Sequence, residues 1–141
     1  MRARYRLRRV VNLVNGSTLG GMVVARLGGA RLARGPDGLL AATGYGLPLP
    51  AAPAFTVGNV IITGRSWIDQ ESDLFRHEAR HAAQYAWCGG PLMLPFYFAA
   101  AGVSWLLSGD VGAWNPFERL AGLADGGYRD RPLRWSRQMP V

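Results

Sequence analysis

From Pro91 to Ser108 the chain carries no charged side chain, and much of the run is large and apolar: Leu92, Met93, Leu94, Phe96, Tyr97 and Phe98, then Val103, Trp105, Leu106 and Leu107. Such a segment has to leave water, so the fold must either enclose it or deliver it to a bilayer. Gly89-Gly90-Pro91 before it and Gly109 after it mark its ends. The run falls just short of the roughly 20 residues that cross a hydrocarbon core comfortably. A buried helix is the expected fate, with a membrane-inserted helix as the alternative.

The rest of the chain has the means to form a core. Its 141 residues suit a single domain, and 49% hydrophobic with 18% charged residues excludes a wholly disordered chain. One cysteine, Cys88, allows no intramolecular disulfide. All sixteen basic residues are arginine and the formal net charge is +7. Five arginines fall within residues 1–9 and four between Arg129 and Arg137. Basic ends suit an acidic membrane face or a nucleic acid, but no aromatic-basic interleaving points to nucleic acid. Residues 1–9 read as a basic, flexible arm and 129–141 as a basic tail, flanking a core at 55–128. Asn12, Asn15, Ser17 and Arg26 interrupt any signal-like apolar stretch, so a cytoplasmic location is expected, with membrane-surface contact as an alternative.

Punctuation along the chain predicts an α+β domain. Leu19, Met22, Val23, Arg26 and Leu27 follow helical spacing, with a start at Gly16-Ser17-Thr18 and an end at Gly28-Gly29. Arg34-Gly35-Pro36-Asp37-Gly38 is a turn between two short runs and predicts an antiparallel hairpin. Residues 55–63, rich in β-branched side chains, read as one strand. Three helices follow: from Asp69 or Ser72 to about Trp87, the apolar run, and a helix opened by Asn115-Pro116 and closed by Asp125-Gly126-Gly127.

Both histidines of the chain lie in the first of these helices, as His77-Glu78-Ala79-Arg80-His81. On a helix, residues four apart share a face, so the two imidazoles can converge on one metal ion. Glu78 is turned by about 100° from His77, which suits a general base acting on water more than a ligand. The plain alternative is a pair of histidines on an ordinary amphipathic helix. A catalytic zinc site needs a third protein ligand, and there is no third histidine. Among the downstream carboxylates Asp110, Glu118, Asp125 and Asp130, Glu118 is favoured because it sits on a separate helix. The same residue is also the third helical position after Asn115, where a capping box would claim its carboxylate. Asp125 is a candidate to orient a histidine ring through its other nitrogen. Tyr85 and Tyr128 are candidate oxyanion donors between which spacing does not choose.

With Phe117-Glu118-Arg119-Leu120-Ala121 downstream, this arrangement resembles the gluzincin branch of zinc metallopeptidases, and the His81-Ala82-Ala83-Gln84 extension is similar to short bacterial HExxH domains. The resemblance covers residues 55–125. It implies a zincin-like domain in which His77, His81 and Glu118 bind Zn2+, Glu78 acts as base, and the strand at 55–63 is the edge along which a peptide or protein substrate lies. Arg80 departs from the family pattern, in which the residue before the second histidine is uncharged. A zinc-stabilised domain without catalysis, or one associated with a membrane, is the alternative.

Overall fold

Two helices, a small sheet and three further helices follow one another along the chain; the computed structural model describes residues 1–50 and 52–138. The first helix, α1 (Ala3–Val14), takes up most of the residues expected to form a loose basic arm. Two side chains explain the difference. Arg8 is buried and donates to the Asp37 carbonyl at 2.7 Å. Asn12 is fully buried and donates to Asn59 Oδ1 and to the Ala82 carbonyl, each at 2.8 Å. A segment so anchored has too many buried polar bonds to fray. The second helix, α2 (Ser17–Leu27), starts and stops where its sequence signals place it.

The hairpin forms as expected from β1 (Arg31–Arg34) and β2 (Leu40–Thr43), paired antiparallel across the turn at Pro36–Gly38. The single strand expected at 55–63 is instead a second hairpin, β3 (Phe55–Val57) and β4 (Val60–Ile62). Gly58, at φ 63°, makes the tight turn between them. Nor is the sheet wholly antiparallel. Its order is β1-β2-β4-β3, and β2 runs parallel to β4, with Leu40 opposite Val60 and Ala42 opposite Ile62. The connector after β2 passes the position of β4 to reach β3, and β3 returns the chain so that β4 runs parallel to β2.

β4 is buried at all three residues because both faces of the sheet are covered. On one side Ala42, Val60 and Ile62 pack with Ala25 of α2; on the other Leu39, Ala41 and Ile61 pack with Phe75 and Ala82. The latter two belong to α3 (Asp73–Trp87), whose start is capped by the Ser72 hydroxyl accepting from the Phe75 amide at 3.1 Å. After a turn at Gly90–Leu92 comes α4 (Met93–Ser108), the apolar run. It is not a core helix, as only Met93, Ser104 and Ser108 on it are buried and no further layer among the described residues covers it. The last helix, α5 (Pro116–Ala121), is capped by Asn115, whose Oδ1 accepts from the Phe117 amide at 3.0 Å. It stops at Gly122, short of the expected end near Asp125, and the chain then turns back toward α3.

Candidate metal centre

The helical spacing of His77 and His81 brings their rings onto one face of α3, with Nε2 atoms 3.0 Å apart. α5 crosses that face and sets Glu118 against both: its Oε2 lies 2.9 Å from His77 Nε2 and 3.3 Å from His81 Nε2. The three residues are buried, at 1%, 6% and 2% exposure. Glu118 is therefore not the capping-box residue of α5; the Asn115 amide that such a box would satisfy donates instead to the Gly112 carbonyl at 3.0 Å.

The partners on the far side of each ring fix which nitrogen carries a proton. His77 Nδ1 donates to the Gly122 carbonyl at 2.8 Å, and His81 Nδ1 donates to Gln84 Oε1 at 2.8 Å. Gln84 is itself held, its Nε2 donating to the Phe117 carbonyl at 2.8 Å. Each Nε2 then presents a lone pair to the same point that the Glu118 carboxylate faces. Two lone pairs and an anion converging out of water demand a positive charge between them. Bonds of about 2.0–2.1 Å at tetrahedral angles hold neighbouring donors about 3.3 Å apart. The observed separations of 2.9, 3.0 and 3.3 Å fit such an ion with little adjustment. The three side chains form a group that can hold a metal ion.

The proton affinities reflect this closeness. Burial alone would raise Glu118, but the His77 and His81 Nε2 atoms facing it and positive charge on His81 outweigh burial and hold the carboxylate well below its ordinary range. Burial alone would lower His81, but its hydrogen bond to Glu118 and that residue's charge outweigh it and raise it. The two shifts are the two sides of one contact, an anionic carboxylate against an imidazole.

Glu78, the next residue along α3, lies beside this group and is equally buried. The Thr56 hydroxyl, on β3, donates to its Oε2 at 2.7 Å and lies 3.1 Å from its backbone carbonyl. Burial raises the proton affinity of Glu78, against the lowering charge of His81 and the Thr56 hydrogen bond. Asp125 does not orient a histidine. Its Oδ2 accepts from Arg80 at 2.8 Å, and Arg80 also donates to the Ala121 carbonyl at 2.6 Å. Arg80 is thus turned away from the histidines and ties α3 to the end of α5.

Other contributors come from outside α3 and α5. Tyr97 of α4 donates to Glu118 Oε1, so the apolar helix reaches into the centre. Tyr128 lies beside His77, ring centroids 6.2 Å apart, and its hydroxyl is pushed up to about 12 by burial and the charge of Glu118. Of the two tyrosine candidates, Tyr128 is therefore the one against a histidine ring. Gly126 lies on the face of His77, where a Cβ would come within 2.4 Å of Cε1. A cavity of about 1120 Å³ between α1 and α3 is on the opposite side of α3, lined by Tyr5, Arg8, Leu39, Phe75 and Ala83, and includes none of the four site residues. Comparison with known proteins returned no match to any family profile, curated sequence or solved structure.

Proposed function

We propose that this chain is a zinc-dependent hydrolase of the gluzincin type, acting on peptide bonds, with a zincin-like arrangement of edge strand, metal-site helix and third-ligand helix. The observation that carries the reading is the convergence of His77, His81 and Glu118 with Glu78 one helical step away. Imidazole and carboxylate donors suit zinc among the common divalent ions. Held by these three side chains, a zinc ion supplies Lewis acidity, polarising a carbonyl and lowering the pKa of water. Gly122 and Gln84 keep the two rings in the tautomer that leaves Nε2 free. Glu78 accepts the proton of the attacking water and returns it to the leaving amine. Burial raises its proton affinity, which favours a group that takes up a proton, and Thr56 holds the carboxylate in place. The Tyr128 hydroxyl, protonated throughout the neutral range, can donate to an oxyanion. β3, the outer strand that carries Thr56, offers an edge for an extended peptide.

Glu78→Gln is expected to keep one zinc per chain and to lose hydrolysis by about 10²–10⁴-fold, whereas His77→Ala loses the metal itself. Full turnover by Glu78→Gln overturns the mechanism. The burial of all three donors favours a second reading, a zinc ion that only ties helices together, as in closed structural sites. A blank peptide-substrate screen on a chain carrying its full zinc would decide for that reading.

A further inference from the structure

α4 is inside out for a helix in water. Its inward stripe, Met93, Tyr97, Ala101, Ser104 and Ser108, follows the three-to-four-residue helical repeat, and it includes the polar residues of the helix. Ser104 and Ser108 are 0% and 1% exposed, while Phe96 and Leu106 are 58% and 65% exposed. At 100° per residue, the exposed Leu94, Phe96, Phe98, Val103, Trp105 and Leu106 cover an arc of about 200°. A helix apolar all round belongs inside a core or a membrane, and α4 is not in the core.

The apolar surface continues past the helix. Asn15, in the corner between α1 and α2, lies so close to Gly90 that a Cβ there would meet its Cγ at 2.4 Å. Val14 and Leu92, on either side of this contact, are both exposed. At the other end of α4 the chemistry turns cationic. Arg129, Arg131 and Arg134 are exposed, and the Arg134 guanidinium sits 5.3 Å from the centre of the Trp105 ring while donating to the Trp105 carbonyl at 3.0 Å. The acids there are paired: Asp110 faces Arg131 at 3.7 Å and Asp130 faces Arg119 at 2.9 Å.

We propose that the outer face of α4 docks into the surface of an anionic lipid bilayer, its axis along the membrane plane. A second protein would cover one stripe of a helix, whereas lipid covers a wide apolar arc. Tryptophan and arginine at the helix end match the headgroup level, and the chain's +7 charge matches its sign. The helix lies on the surface because both ends return to one body: Tyr97 is bonded to Glu118 of α5, and the Ser104 hydroxyl accepts from the Trp114 amide at 2.8 Å.

The test is co-sedimentation of the full chain with phosphatidylcholine vesicles and with phosphatidylcholine–phosphatidylserine vesicles, at low and high salt. The chain is expected to pellet with the anionic vesicles, less so in high salt, with a blue shift of tryptophan emission. A Phe96→Glu/Leu106→Glu double variant is expected to lose partitioning by roughly tenfold or more, with metal content and thermal melt unchanged. Three results would overturn the proposal: a wild-type chain that stays in the supernatant with both vesicles, a double variant that binds like wild type, or a wild-type dimer that ignores vesicles and that the double variant converts to monomer. The last result would assign the face to a second copy of the chain.

Discussion

Gly126 has no side chain because the His77 ring occupies the space, and that makes it a sensitive probe of the centre. A methyl group there would overlap the ring, so Gly126→Ala is expected to destabilise the fold by about 1–3 kcal/mol, as overpacking does. The displaced ring should also bind metal less tightly. Denaturant unfolding and a metal titration on the same variant check both, and unchanged values in each would mean that His77 has room to move. Tyr97 is the complementary case. Tyr97→Phe keeps the ring but leaves Glu118 Oε1 without its donor; loss of such an outer partner is expected to weaken metal binding by about 10–100-fold. An affinity equal to wild type would reduce Tyr97 to packing. These residues also mark how far a linear reading reaches. His77, His81 and Glu78 are legible because helical periodicity fixes their relation. Glu118 is half legible, since a carboxylate at the third helical position has two possible roles and only the approach of α5 to α3 selects one. Gly126, Tyr97 and Gln84 act through contacts made by folding, and no local pattern announces them. Asp125 shows the converse, a plausible spacing that Arg80 captures first.

Capping and turn residues made most of the elements legible, because Ser72, Asn115 and the Arg34–Gly38 turn act over a few residues. Sheet topology was not legible in the same way. β-branched residues on both sides of Gly58 disguised a hairpin as one strand, and the parallel pairing of β2 with β4 depends on a connector that carries no register signal. Gly58 also permits close packing of the hairpin on α2: its φ is 63°, and a Cβ would lie 2.4 Å from the Ser17 carbonyl carbon. Gly16, at φ 83°, has the same handedness but nothing within 4 Å of its missing Cβ. The pair separates backbone strain from steric overlap. Gly16→Ala is expected to cost about 1 kcal/mol, and Gly58→Ala about 2–4 kcal/mol, because the second variant adds an overlap with backbone. Equilibrium unfolding of both variants measures the difference, and equal costs would mean that α2 can shift away from the hairpin without loss.

At the scale of the whole molecule the chain has two parts held by different forces. The sheet with α1, α2 and the core face of α3 is packed from both sides by apolar residues, centred on β4. The part made of α4, α5 and the turn after them presents few buried apolar side chains of its own. It is tied to α3 largely by polar bonds: Glu118 against His77 and His81, Gly122 against His77, Gln84 against Phe117, and Arg80 against Ala121 and Asp125, while Tyr97 against Glu118 joins α4 to α5. An ion between His77, His81 and Glu118 would join residues far apart in sequence. Stabilisation by a ligand that binds only the folded chain grows with its concentration over its dissociation constant, and reaches about 2.7–4.1 kcal/mol at 100 to 1,000 times that constant. For a chain of this size this corresponds to a fall in Tm of about 5–15 °C on chelation. The loss should be local first. Hydrogen exchange after chelation is expected to speed up at amides in residues 93–128 while β2, β4 and α2 keep their protection, since the apolar packing of the sheet does not involve the ion. Exchange that accelerates evenly over the chain would show that the centre supports the whole core. A Tm and an exchange pattern unchanged by chelation would leave His77, His81 and Glu118 as a hydrogen-bonded cluster that holds these helices without a metal.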